Sequence, residues 1–208
     1  MADPSPYGAV VLAAGFSRRL PGANKLLKTY HGRPLLAHTL GTVAGLGLAD
    51  AVVVGGHDGE QIAGLAEQAG LRCIRNDDAA SGMGSSIAAG VRALRQELAG
   101  VFIVLGDMPE VTPQDYARLA AAHDAQPTRI CVPVWEGRRG HPVLFGADHR
   151  AALAALKGDV GARSILREAA DVLSVPAASA GVLVDLDTEE DFATPAPDGP
   201  PEPGRTSD

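Results

Sequence analysis

The chain has 208 residues, 46% of them apolar, with a formal net charge of −7 and only two cysteines. That length supports one sizeable α/β domain or two small ones, and the acidic balance excludes general nucleic-acid binding, which needs a basic surface to neutralise phosphates. Cys73 and Cys131 have no CxxC spacing, so neither a disulfide scaffold nor a cysteine zinc site is expected, and a reducing cytoplasm fits.

Residues 1–8, MADPSPYG, lack signal-peptide character and are expected to be a flexible N-terminus before the main domain, residues 9–192. Ala9–Ala13 reads as a buried strand, Pro34–Leu46 as a helix and Ala51–Val54 as a second strand. Gly59–Ala69 has helical spacing, Leu71–Arg75 is a weaker strand, and Ser85–Leu98 is a helix with Ser81 or Ser85 near its start. Val101–Leu105 is a strong strand, and Pro113–Ala122 a helix with Thr112 as N-cap and proline at its first position. Arg129–Val134 and Pro142–Phe145 are strand-like, with the turn WEGRRG between them. Helical pieces follow at Arg150–Leu156 and Ala162–Ala169, then a short strand at Val182–Val184 and a last helical turn through Glu189–Phe192, capped by Thr188. Residues 193–208 are rich in proline and glycine and are expected to be a disordered tail. No apolar run is long enough to span a bilayer.

Strands alternating with helices predict a three-layer α/β fold of Rossmann-like type, a doubly wound and mostly parallel sheet covered on both faces. Ligands of such folds bind at the carboxyl ends of the strands. The stretch VVLAAGFSRRLPGANKLL lies just past the first strand. Its small residues Ala13, Ala14, Gly15 and Ser17, after Leu12, would let backbone N–H groups approach a phosphate, with Arg19 and Lys25 to neutralise it. The competing reading is a solvated basic loop, and the spacing does not match the ordinary phosphate-loop pattern.

Asp107, in GDMPEVTP, follows the strong strand and would sit over the same edge, able to hold Mg²⁺ while waters and phosphates complete its octahedron. Read alone, it is equally an Asp that starts a turn. Asp185 and Asp187 alternate in VLVDLDTEEDF, which in an extended segment puts both carboxylates on one face; either is a candidate second ligand, or Asp187 caps the last helix. In NDDAASGMGSSIAAG, Asn76, Gly82 and Ser85 are candidates for gripping a nucleobase or ribose, against simple helix capping by serine. In GRRGHPVLF, Arg138, Arg139 and His141 are candidates for a second anion, against a solvated turn; Arg163 could join them.

In combination these motifs resemble the MobA-like nucleotidyltransferase family. The signature is carried by Leu12, Ala13, Ala14, Gly15, Ser17, Arg19, Gly22 and Lys25, by GDMP, and by DLDTEEDF. GMGSSIAAG, RRGHPVLF and GDVGAR look most like its molybdenum cofactor cytidylyltransferase branch. Leu20-Pro21 replaces the more usual Met-Gly, with one extra residue before Lys25, and Glu189 stands where proline is usual.

The resemblance implies Mg²⁺-dependent (or Mn²⁺-dependent) transfer of CMP from CTP to the terminal phosphate of molybdopterin or molybdenum cofactor. Ala14, where guanylyltransferase relatives carry glycine, implies CTP over GTP. It assigns Arg19, Lys25 and Asp107 to catalysis, Asp107 with Asp185 or Asp187 to the metal, and Arg138, Arg139 and His141 to the acceptor. The implied partner is a xanthine-dehydrogenase-type apoenzyme or its chaperone, with neither nucleic acid nor membrane. Three alternatives stay open: a sugar-phosphate or methylerythritol-phosphate nucleotidylyltransferase, a non-catalytic cofactor carrier, and a dinucleotide-binding dehydrogenase, whose glycine pattern the first βα turn lacks.

Overall fold

The computed structural model describes residues 5–15, 24–56, 58–169 and 172–192. Its elements run β1 (Ser5–Ala13), β2 (Thr29–Tyr30), β3 (Arg33–Pro34), α1 (Leu35–Ala44), β4 (Leu48–Gly55), α2 (Gly59–Gln68), β5 (Arg72–Arg75) and α3 (Met83–Ala93). They continue with β6 (Gly100–Leu105), α4 (Pro113–Ala125), β7 (Ile130–Trp135), β8 (Arg138–Arg139), β9 (Val143–Gly146), α5 (Arg150–Ala154), α6 (Arg163–Glu168), β10 (Val172–Pro176) and α7 (Glu189–Phe192).

Among the described residues the main sheet has the order β10-β7-β9-β6-β1-β4-β5, with β8 paired to β7. The β1–β4, β1–β6, β4–β5 and β7–β10 pairs are parallel, whereas β9 runs antiparallel to both β6 and β7. The expectation of a mostly parallel, doubly wound sheet is therefore met. Alternation along β1 builds the two cores. Ala9, Val11 and Ala13 face a cluster with Leu35, Leu36, Leu40, Ile62 and Leu119 from α1, α2 and α4. Val10 faces the opposite cluster with Ile87, Val91 and Leu153 from α3 and α5.

Several boundaries differ from the sequence expectation. β1 begins at Ser5, so Ser5–Gly8, placed outside the domain as a flexible N-terminus, are strand, and Tyr7 is buried in the core. α3 stops at Ala93 rather than Leu98: Leu94 turns extended, and both Leu94 and Leu98 are buried, close to the Cα of Gly8. Val182–Val184 is not a strand; Ala180–Leu183 is a 3-10 turn whose cap, the Ser179 hydroxyl, accepts from Gly181 N at 3.2 Å. β10 has no counterpart in the sequence reading, because only Val175 of its five residues is buried and the apolar pattern is faint. Thr112 behaves as expected at the start of α4, its N–H and hydroxyl donating to Asp115 at 3.0 and 2.7 Å. Cys73 and Cys131 are unpaired, and burial pushes the Cys131 thiol up to about 11, which keeps it protonated. The tail at residues 193–208 lies outside the described residues.

Candidate active site

β1 is flanked by β4 on one side and β6 on the other, so its carboxyl end lies where successive crossovers diverge, the usual ligand edge of such sheets. A cavity of about 300 Å³ opens there, lined in part by Leu12, Ala14, Gly15, Lys25, Asp107 and Gly82. Ala13 does not line it; that side chain packs into the core on the opposite face. Ser17 and Arg19 lie outside the described residues.

Lys25 is placed by a 3-10 turn, Lys25–Leu27. The Asn24 side chain caps it, accepting from Leu26 N at 3.1 Å and donating to Asp58 at 3.0 Å, while Leu26 is buried as the anchor. Asp107 is placed by the end of β6. Gly106 N donates to Leu12 O at 3.0 Å, and its carbonyl accepts from the Thr39 hydroxyl at 3.2 Å. A Cβ at Gly106 would lie 2.8 Å from Leu12 O, so the close approach of β6 to β1 needs glycine. Asp187 is brought in because Leu186 is buried and its N–H donates to Asp107 O at 3.3 Å.

These three segments converge on one ammonium. Lys25 Nζ donates to Asp107 Oδ2 at 2.6 Å and to Asp187 Oδ1, with side-chain exposures of 17%, 20% and 33%. Burial acts to lower the Lys25 pKa, but the two carboxylates outweigh it and hold the group above its ordinary value. Lys25 is therefore a fixed cation at neutral pH. Asp185, by contrast, is exposed, and its charge bears on His141. The segment pairs with no strand among the described residues, yet Leu186 is buried between an exposed Asp185 and a half-buried Asp187, the pattern that alternation expects.

The Gly82 turn also differs in detail. Asn76 Nδ2 donates to the hydroxyls of both Ser85 and Ser86, at 2.9 and 3.0 Å. Ser85 in turn donates to the carbonyls of Asp78 and Gly82, so Asn76 and Ser85 are buried braces of the turn, and it is Ser86 that lines the cavity. Arg138 and Arg139 are exposed on the β7–β8 hairpin and do not line the cavity. His141 is largely enclosed. Its backbone N–H donates to Val182 O at 2.9 Å, its ring Nδ1 has no hydrogen-bond partner, and burial lowers its pKa, opposed by a hydrogen bond with the Ile103 backbone and by Asp107 and Asp185, with Arg163 adding to the effect. Asn24, Met83, Ser86 and Asp159 were not singled out from sequence; Asp159, in GDVGAR, reaches the cavity because its loop docks on the Gly82 turn.

Residues 9–172 match the MobA-like NTP transferase domain. The chain belongs to that family. Among curated relatives of this MobA-like protein, the nicotine blue oxidoreductase of Paenarthrobacter nicotinovorans is 34% identical over 167 residues, covering 76% of the chain and 80% of the relative. The CMP-5'-(3-aminopropyl)phosphonate synthase of Streptomyces rubellomurinus is 38% identical over 141 residues, 64% of the chain but only 22% of that longer protein. Among solved structures, the homolog of Mycobacterium tuberculosis rv0371c from Mycobacterium sp. strain JC1 superposes with a TM-score of 0.78 at 29% identity, covering 90% of this chain and 93% of that one. The manganese complex of Rv0371c itself gives 0.70 at 26% identity, covering 89% and 95%.

Proposed function

We propose that this MobA-like nucleotidyltransferase transfers CMP from CTP to the terminal phosphate of molybdopterin or molybdenum cofactor, releasing pyrophosphate. The observation that carries the reading is the Lys25 ammonium bonded to Asp107 and Asp187 inside a cavity at the carboxyl edge of the sheet. A relative named as a synthase of a CMP-phosphonate supports CMP as the transferred group.

In this reaction an acceptor phosphate oxygen attacks the α-phosphorus, the α–β bridging P–O bond breaks, and pyrophosphate leaves. A phosphate monoester has its second pKa near 6 and is largely dianionic at neutral pH, so no general base is needed. The obstacle is bringing a dianion against a polyanion. Two like unit charges 4 Å apart repel by roughly 4 kcal/mol at an effective dielectric of about 20. Lys25, fixed in place by its capped turn, offsets that charge on the triphosphate and on the departing pyrophosphate. Arg19 is proposed to act with it. His141, with Arg138, Arg139 and Arg163, is proposed to face the acceptor.

The donor set fits a hard divalent cation. Among the described residues no three His, Cys, Asp or Glu side chains form a metal cage. Mg²⁺ does not need one, being held by one or two carboxylates with waters and substrate phosphates. Asp107 and Asp187 are such a pair, and they already converge on a cation. Bound there, Mg²⁺ or Mn²⁺ would supply charge stabilisation to the phosphates; the manganese complex of a structural relative supports the assignment. No helix among the described residues is long and apolar enough to cross a membrane. A cytoplasmic location, and delivery of the product to a xanthine-dehydrogenase-type apoenzyme or its chaperone, belong to the same proposal.

The test is pyrophosphate release with each nucleotide and Mg²⁺, with and without molybdopterin. The expected result is release that depends on both CTP and molybdopterin; release with a sugar phosphate instead would reassign the acceptor, and none with any phosphate would overturn the reading. One observation favours a second reading: the relative matched over four-fifths of its length is named an oxidoreductase. Reduction of nicotine blue by the purified protein with a supplied two-electron reductant, at a rate above that of the reductant alone, would select that reading.

A further inference from the structure

We propose that Asp159 determines nucleobase specificity by accepting a hydrogen bond from the exocyclic amino group of the base. The inference rests on the nucleotidyl-transfer reading and gives a role to Asp159, a residue of GDVGAR to which the sequence reading assigned none.

Two chemically different groups of residues line the cavity: Lys25 bonded to Asp107, and Ala79, Ala80, Met83 and Asp159 from the Gly82 turn and the loop docked on it. The Asp159 carboxylate is exposed and makes no hydrogen bond or ion pair with any other residue among those described. An ionised carboxylate is an acceptor only, and it repels phosphate. The triphosphate therefore belongs beside Lys25, and Asp159 suits an uncharged group carrying N–H donors.

Its surroundings suit a flat ring. Met83 and Val160 are the large apolar side chains most exposed among the described residues, at 50% and 55%. They lie on two segments docked on each other through Gly84 N, which donates to Gly158 O at 2.9 Å. Leu12, Ala14 and the Met83 thioether supply apolar contact for a ring face. Gly82, with φ +127°, allows this docking: a Cβ there would lie 2.5 Å from Asp159 N and from the Gly158 carbonyl carbon. The Asp159 backbone is thus held by packing at a fixed place on the cavity wall, and its carboxylate is carried from there.

Cytosine presents an amino donor where uracil presents a carbonyl acceptor, so a carboxylate at the base edge favours CTP and opposes UTP. The experiment is calorimetric titration of CTP and UTP into wild type, Asp159→Asn and Asp159→Ala, with Mg²⁺ and no acceptor. The expected preference of wild type for CTP is about ten-fold or more, as for a hydrogen bond to a charged group. Asp159→Ala should bring the ratio close to one. Asp159→Asn should carry it further toward UTP, because the amide can donate to the uracil carbonyl. A wild type that binds both nucleotides equally, or an Asp159→Asn protein that keeps the wild-type ratio, would overturn the inference and leave nucleotidyl transfer standing. A wild type that binds no nucleotide would overturn both. Asp159 is exposed, and a melting curve of each variant checks that the fold is retained.

Discussion

Lys25 Nζ lies 2.6 Å from Asp107 Oδ2, although the two residues are 82 positions apart. Lys25 comes after β1 in the chain and Asp107 two residues after β6, and the parallel pairing of those strands is consistent with a cation and a carboxylate at one end of the sheet. The Asp187 carboxylate bonds the same ammonium. A site for a metal-bound polyphosphate needs this mixture of charges, because the phosphates want cations and the metal wants carboxylates.

Lys25→Met should expose the cost of that arrangement. Two partly buried carboxylates lose their shared cation, and stability should fall by about 1–3 kcal/mol. Without the ammonium competing for the same oxygens, Mn²⁺ should raise the melting temperature of the variant more than that of wild type. Thermal melts with and without MnCl₂ check this, and equal shifts in the two proteins would contradict it.

The two acidic residues of the DLD segment should separate. Asp187 reaches Lys25 while Asp185 does not, so Asp187→Asn should weaken Mn²⁺ binding by about ten-fold or more and Asp185→Asn by about three-fold or less. Paramagnetic titration of free Mn²⁺ reads the difference directly.

Much of this was legible in the sequence. The strand–helix alternation gave the layers; Asp107 stood out as a carboxylate just past an apolar strand, Lys25 as a cation in the segment that follows the first strand, and Asp185 and Asp187 as equal candidates. What was not legible depended on tertiary contact. The role of Asn76 is visible only when its amide is seen bridging Ser85 and Ser86, which makes it a brace rather than a ligand contact. Alternation left Asp185 and Asp187 as equal candidates; only the ion pair of Asp187 with Lys25 tells them apart. Asp159 lies in GDVGAR, a motif that carried resemblance but no role; only the docking of its loop on Gly82 shows it at the cavity.

That docking gives its own expectation. Gly82→Ala forces a Cβ against the 158–159 backbone at a positive φ, and should cost about 1–3 kcal/mol of stability. It should also weaken nucleotide binding, since the Gly82 turn and the Asp159 loop form one wall. Chemical denaturation and nucleotide titration measure the two effects, and a variant as stable as wild type would contradict the packing argument.

The acid side of the stability profile should be set largely by buried histidines. His123 is enclosed between α4 and β1, with Nδ1 3.0 Å from the Tyr7 hydroxyl, and burial holds its pKa below the ordinary value despite Asp124. His141 is shifted the same way. Unfolded histidine, with a pKa of about 6.5, then binds protons more readily than the folded chain. Stability should be level above that pH and fall as pH drops below it through the folded pKa values. Denaturation midpoints at pH 7.5 and 5.5 check the sign, and His123→Asn should reduce the pH dependence. A midpoint that rises on acidification would contradict the account.

The most direct test is pyrophosphate release from CTP and Mg²⁺ in the presence of molybdopterin by wild type, Lys25→Met and Asp107→Asn, with folding followed by circular dichroism. The expected result is turnover by wild type and a loss of about 100-fold or more in each variant at unchanged secondary structure, the size seen when one charge-stabilising group is removed. Wild-type turnover in both variants would contradict the claim that the paired cation and carboxylate perform the transfer.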